Sequence, residues 1–311
     1  MKNKIFRTLD EQVEILKSKD LTITDEEKAK KILLKENYFF ISGYRHLLMK
    51  NYKDKKFIKG STFEELYAIF NFDRHIRNIC FKNILIIENN IKSIISYQLS
   101  KKYGFQEKNY LNTSNYTEDL AKERQVRDVL NKVRKQLAFN GKKHAATMHY
   151  MTNYGYIPMW ILVKVLSFGL MSEFYCILKT EDKKEIAHIY NMEYNEMEIY
   201  LYLLANFRNL CAHEDILYEH RTQRSIPDNE IHKILKIEKE DEYKYGKNDL
   251  FALIIIFKYM LNKDEFREMI REMSYEMNIL EGKINTVTVE TILKRIGFPP
   301  NWEEIITYEA R

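Results

Sequence analysis

The chain has 311 residues, 45% of them hydrophobic, and a formal net charge of +5, which suits one large or two modest domains with a sizeable core. Nine glycines and four prolines are too few for a doubly wound α/β fold and favour helices. Three widely spaced cysteines, with no C-x-x-C or H-E-x-x-H string, argue against a disulfide framework and a zinc site.

Thr8-Leu9-Asp10-Glu11 is a capping-box pattern and predicts a short helix carrying Val13 and Leu16. Thr24-Asp25-Glu26-Glu27 repeats the signal and predicts a second helix through Leu34. Asn37 to Arg45 is aromatic-rich with one glycine. Its Tyr38, Phe39, Phe40 and Tyr44 suit a core, or a surface on which bases stack. Ser61-Thr62-Phe63-Glu64 opens a pattern that stays helical to about Lys102. Its apolar positions, which include Leu66, Ile69, Phe70, Ile76, Ile84, Ile87, Ile91, Ile94, Ile95 and Leu99, recur in steps of three and four and mark one buried face. The length of this stretch predicts a kink or break near Asn78–Asn83.

Tyr103 to Tyr116 reads as a polar loop, and Thr117 to Phe139 as a helix closed by Asn140-Gly141. Further helices are expected over His144 to Tyr154, from Pro158 to Ser167 and, after punctuation at Gly169, over Met171 to Leu178. Asn195 to His213 is strongly periodic, with Ile199, Leu203, Leu204 and Phe207 facing inward. A polar stretch, Glu214 to Asn248, precedes helical regions over Asp249–Ile284 and Thr286–Gly297. The expected fold is all-α. Residues 1–60 form an N-terminal helical and aromatic segment, 61–226 a core and 227–311 a C-terminal helical segment, able to pack as one domain. Met1 to Arg7 lacks an apolar signal core, and the apolar run Leu250–Phe257 is too short to span a bilayer. A cytoplasmic protein with no membrane partner is expected.

Charge is concentrated between Ala121 and His144. Eight basic residues (Lys122, Arg124, Arg127, Lys132, Arg134, Lys135, Lys142 and Lys143) face only Glu123 and Asp128. Such a stripe suits a phosphate backbone, with Arg124, Arg127, Arg134 and Lys135 as the RNA contacts. A solvated helix face would look the same.

The chemistry-bearing string is Arg208-Asn209-Leu210-Cys211-Ala212-His213, or R-N-x-x-x-H. No other arginine in the chain has a histidine four to six residues downstream. Arginine can stabilise charge on a phosphate, and histidine can move a proton near neutral pH. Together they are a minimal kit for cutting RNA without a metal or other cofactor. Positions five apart on a helix are separated by about 140°, so Arg208 and His213 do not share a face of a continuous helix. Either the helix ends or distorts there, the arginine reaches around, or a second copy completes the site in a homodimer.

Structural readings stand beside these. His213 suits a helix C-terminus, where the dipole favours its cation. Arg208 could pair with Glu214 or Asp215, and Asn209 could cap or turn the chain. Glu88 and Lys92, four apart, form either a surface ion pair or a polar pair supporting the arginine and histidine. Tyr218 is a candidate site-lining aromatic, with Arg221 and Arg224 as nearby phosphate contacts. His144 and His149 read as surface residues.

Several segments in order resemble the Abi-like proteins (the AbiD/AbiF group) of bacterial abortive-infection systems, within the HEPN superfamily. They are Tyr38–Arg45 (YFFISGYR), Phe57–Tyr67 with Phe72-Asp73-Arg74, Ile157-Pro158-Met159-Trp160 with Leu166–Gly169, Arg208–His213, and Gly297-Phe298-Pro299 with Trp302. The resemblance implies a HEPN-type helical bundle core with added N- and C-terminal helices. It also implies a metal-independent ribonuclease that dimerises and acts as a toxin in phage defence. Arg208 and His213 would be its catalytic pair and Asn209 their support. Glu88 and Lys92 fall where relatives often carry a glutamate followed by a basic residue. After Tyr218, Glu219 stands where relatives often have asparagine. A cognate RNA or protein antitoxin would fit this role. The contrasting expectation is a non-catalytic RNA-binding or scaffolding protein.

Overall fold

The computed structural model describes residues 5–50, 55–140 and 143–308. Met1 to Lys4, Gly141 and Lys142 lie outside the described residues. Among the described residues there are fifteen α-helices, four 3-10 turns and no strand, so the fold is all-α as expected. No helix among them is long and apolar enough to cross a membrane.

The N-terminal segment folds as α1 (Leu9–Lys17), α2 (Glu26–Glu36) and α3 (Tyr38–Gly43). Thr8 and Glu11 close the expected capping box of α1. The cap of α2 is Asp25 and not Thr24: its carboxylate accepts from the Lys28 amide, and the helix continues to Glu36. Tyr44 is buried, but Phe39 and Phe40 are exposed, against the core expectation for them.

The axle of the molecule is α4 (Phe63–Tyr103), 41 residues long. The break expected near Asn78–Asn83 does not occur. The stretch has no glycine or proline, and the Asn83 amide is satisfied within the helix by the Ile79 carbonyl at 2.8 Å. Thr62 and Glu65 cap its start. Glu65 also accepts from the Asn285 and Thr286 amides at 2.6 and 2.7 Å, which ties the C-terminal segment to the axle.

The expected loop after α4 is partly ordered as α5 (Glu107–Tyr110) and a 3-10 turn, with Tyr110 and Tyr116 buried. The basic helix α6 (Glu123–Asn140) begins later than Thr117, after a 3-10 turn at Leu120–Lys122. Then follow α7 (Ala145–Tyr154), α8 (Met159–Val165) and α9 (Phe168–Cys176). Gly169 lies inside α9. The punctuation is Ser167, whose hydroxyl caps that helix. The sequence reading missed α10 (Thr180–His188). α11 (Tyr194–Ala212) ends at the R-N-x-x-x-H string.

The polar stretch beyond holds α12 (Glu230–Ile234) and the buried Ile226 and His232. The expected Asp249–Ile284 helix divides at Leu261-Asn262 into α13 (Leu250–Met260) and α14 (Lys263–Glu281), because Asn262 and Glu265 form a new capping box. The apolar run Leu250–Phe257 is buried on every side in α13. α15 (Val289–Ile296) closes on Gly297 with φ 102°, a conformation that suits glycine. Helices α8, α10, α11 and α14 all pack on α4, and one buried cluster runs through all three segments.

Candidate nuclease site at the end of α11

The helix stays regular from Arg208 through Ala212, and His213 is its C-cap. Of the options the spacing left open, distortion between the two residues is therefore excluded. Past His213 the chain forms a Schellman turn. The Asp215 amide donates to Leu210 O at 3.2 Å and the Glu214 amide to Cys211 O at 3.4 Å. Glu214 takes the left-handed position of this turn at φ 56°, which strains a residue with a Cβ.

Arg208 turns inward to α4. Its Nε lies 3.5 Å from Glu88 Oε2, and its guanidinium lies 5.8 Å from the Phe81 ring centroid. The other oxygen of Glu88 accepts from Lys92 Nζ at 2.7 Å. Arg208 thus pairs with Glu88, and neither Glu214 nor Asp215 is its partner. Glu214 instead lies 3.7 Å from Arg74. The Arg208–Glu88 contact is ionic without being a hydrogen bond, since both facing atoms are buried and lack one. Among the described residues, no group accepts from the terminal nitrogens of Arg208. Asn209, Ala212 and His213 are exposed, and no side-chain hydrogen bond holds the imidazole among the described residues. Cys211 faces inward, and burial pushes its thiol up to about 12, so it is not a nucleophile near neutral pH.

A buried node that sequence reasoning missed fixes the turn. Asp73 and Arg77 pair at 2.9 Å on α4. Asp73 also accepts from the Tyr44 hydroxyl at 2.7 Å and from the Leu217 and Tyr218 amides at 3.2 and 3.1 Å. Arg77 donates to Asp215 O at 2.9 Å. Tyr218 donates its hydroxyl to Gly43 O at 3.0 Å, and a Cβ built on Gly43 would stand 2.5 Å from Ile216 Cδ1. The aromatic segment, the Asp73 region and the chain after His213 therefore interlock. The only sequence signal for Asp73 was its place in the family-like string Phe72-Asp73-Arg74. His220 was also missed. Burial holds its imidazole below the usual range, and it stands edge-on to Phe207 at 4.9 Å.

The other candidates are dispersed. Tyr218 is mostly buried and braces the turn, and it also lines the cavity that Arg221 borders. Arg221 donates to His220 O at 2.9 Å and borders a cavity of about 780 Å³ with Lys50 and Arg295. Arg224 covers the Tyr202 ring at 4.8 Å. Arg124, Arg127, Arg134 and Lys135 are exposed on α6, which packs on α8 and α9. Arg124 and Arg127 pair loosely with Asp128 and Glu123 at 3.8 and 3.6 Å. Such exposed pairs contribute little. Arg134 donates to Asn131 and to Leu111 O. His144 and His149 are exposed, as expected. Among the described residues no group of three or more His, Cys, Asp or Glu forms a metal-ligand set.

No curated protein and no solved structure matches this chain. A model of the Abi-like protein family matches residues 31–219, which spans α3, all of α4 and the end of α11 with its R-N-x-x-x-H string. The chain belongs to the Abi-like protein family.

Proposed function

We propose that the chain is a metal-independent endoribonuclease of HEPN type, acting as an abortive-infection toxin. Membership of the Abi-like family supports the defence role. The observation that carries the enzymatic reading is the contrast at one helix end. Arg208 is aimed by Glu88 with its terminal nitrogens unspent, and His213 stands exposed and unpartnered five residues on. In the proposed reaction His213 assists removal of the 2′-hydroxyl proton. The 2′-oxygen bonds to the adjacent phosphorus, the bond from phosphorus to the 5′-oxygen breaks, and the leaving oxygen takes up a proton. Arg208 offsets charge on the non-bridging oxygens. The products are a 2′,3′-cyclic phosphate and a 5′-hydroxyl. Proton transfer by a positioned side chain supplies about 10²–10⁴-fold, and charge stabilisation supplies a further share.

The regular helix puts the two residues about 140° apart, which favours a homodimer that combines two copies of the string. RNA cutting by purified protein in excess EDTA tests the chemistry. Loss of cutting that one specific metal restores would sink it. Arg208→Ala and His213→Ala should each abolish cutting. Mixing the two variants with subunit exchange should restore part of it if the site is shared, and none if each site lies in one chain. The ion pair from Arg208 to Glu88 favours a second reading, a non-catalytic RNA-binding or scaffolding protein in which the arginine is structural. That protein would retard RNA in a gel and leave it intact. A toxin of this kind also calls for an antitoxin, RNA or protein, and co-purification from the native host tests for one.

A further inference from the structure

A second surface, on α7 and α8, is built for contact. Phe105, Trp160, Tyr150, Tyr154 and Tyr156 form a closed ring of aromatics. Phe105 meets Trp160 at 5.2 Å and Tyr156 at 5.8 Å. Tyr154 meets Tyr156 at 6.3 Å and Tyr150 at 5.3 Å. The Trp160 indole closes the circuit by donating to the Tyr150 hydroxyl at 3.5 Å. The ring is not core: Tyr154 is 57% exposed and Trp160 43%, with Met148 and Met151 exposed beside them.

Its base is held by specific bonds. The Met159 amide donates to Phe105 O at 3.0 Å. Ile157 donates its amide to Glu107 at 2.6 Å, and its carbonyl accepts from the Tyr110 hydroxyl at 2.7 Å. Glu107, a carboxylate close to the ring, is spent in that bond.

The chain that builds the ring is rich in basic residues and poor in acidic ones. A chain with 45 acidic residues has none from Val129 to Ser172, a stretch that includes all of α7 and α8 and most of α6. The same stretch carries Lys132, Arg134, Lys135, Lys143 and Lys164, all exposed, of which Lys132 is paired with Glu173 of α9 at 2.6 Å. Both α6 and α7 pack on α8, so the cations and the rings share one region of the surface. Exposed rings set near Lys135, Lys143 and Lys164, which form no ion pair among the described residues, fit a ligand with flat faces and a polyanionic backbone.

We propose that this shelf stacks the bases of single-stranded RNA while the basic residues around it take the phosphates. The inference deepens the ribonuclease reading, on which it rests for the identity of the strand: the substrate is unpaired RNA. A duplex keeps its bases stacked on one another and cannot use the rings.

Trp160 is one of two tryptophans, and the other, Trp302, is buried, so intrinsic fluorescence reads the shelf. The His213→Ala chain, which leaves RNA uncut, is titrated with a single-stranded RNA of about a dozen nucleotides and with a blunt duplex of equal length. Single strands should quench the emission to saturation, and a further Trp160→Phe change should remove the signal. Tyr154→Ala, at a position outside the core, should weaken single-strand binding about tenfold and leave duplex binding unchanged. Single strands that bind without quenching would overturn the proposal, as would equal losses for both RNAs or no binding at all. So would emission that follows protein concentration and ignores RNA, which would make the shelf a contact between copies of the chain. The wild-type cleavage assay separates the two readings. Cutting by wild type with a silent shelf leaves the ribonuclease standing and removes the shelf. Quenching with no wild-type cutting does the reverse.

Discussion

The two sides of the α11 end spend their polar groups in opposite ways. On the inner side Asp73, Arg77, Tyr44 and the amides after the string satisfy one another in a buried node. On the outer side Asn209 and His213 face solvent without side-chain partners among the described residues. A buried polar network specifies structure, whereas an exposed and unpaired imidazole on a well-fixed helix end is free to act on something else. Residues a few positions apart should therefore fail in different ways when changed.

The sharpest break is between His213 and Asp73. His213→Ala should lower RNA cutting by about 10²–10⁴-fold, with no change in the unfolding midpoint. Asp73→Ala removes one partner of a buried ion pair and the acceptor for three further donors. It should cost about 3–5 kcal/mol of stability, read by denaturant unfolding. If His213→Ala unfolds the protein, or Asp73→Ala leaves it fully stable, the division of labour is wrong. Next in size is Gly43→Ala, which drives a methyl group toward the end of the Ile216 side chain. A cost of about 1 kcal/mol is expected, together with slower cutting, because Ile216 lies in the turn between His213 and Tyr218. Full activity in a destabilised Gly43→Ala protein would uncouple that turn from the chemistry.

The smallest effect is expected at Glu214. Glu214→Gly relieves a left-handed backbone and should stabilise the fold by about 1 kcal/mol or less. Its one ion pair, to Arg74, is long and exposed and offsets little of that gain. Unchanged cutting would make the residue a stop signal alone. A loss of cutting in a stabilised protein would give its carboxylate a part in the reaction.

The sequence revealed what is local or periodic. The capping box at Thr8, the start of α4 near Thr62 and the periodic α11 are set by neighbours a few residues apart, so they can be read from the string. The Arg208–His213 string stands out because its residues lie close together in sequence. Asp73 does not, because its partners Tyr44, Leu217 and Tyr218 lie far away along the chain and only folding assembles them. Glu88 stood between two readings for the same reason. Its spacing to Lys92 was visible, but its approach to Arg208 across two helices was not. The predicted break in α4 rested on typical helix lengths. The packing of α8, α10, α11 and α14 along that one helix shows why this chain keeps it whole.

That uninterrupted α4 also acts as a ruler. Glu88, which aims Arg208, and Tyr103, two residues before the Phe105 ring, sit on one rod about 22 Å apart along its axis. A rod without a hinge holds that interval constant. A strand stacked at one end and cut at the other would be cut at a fixed offset from the stacked base, so the fragment ends would record the length of a helix.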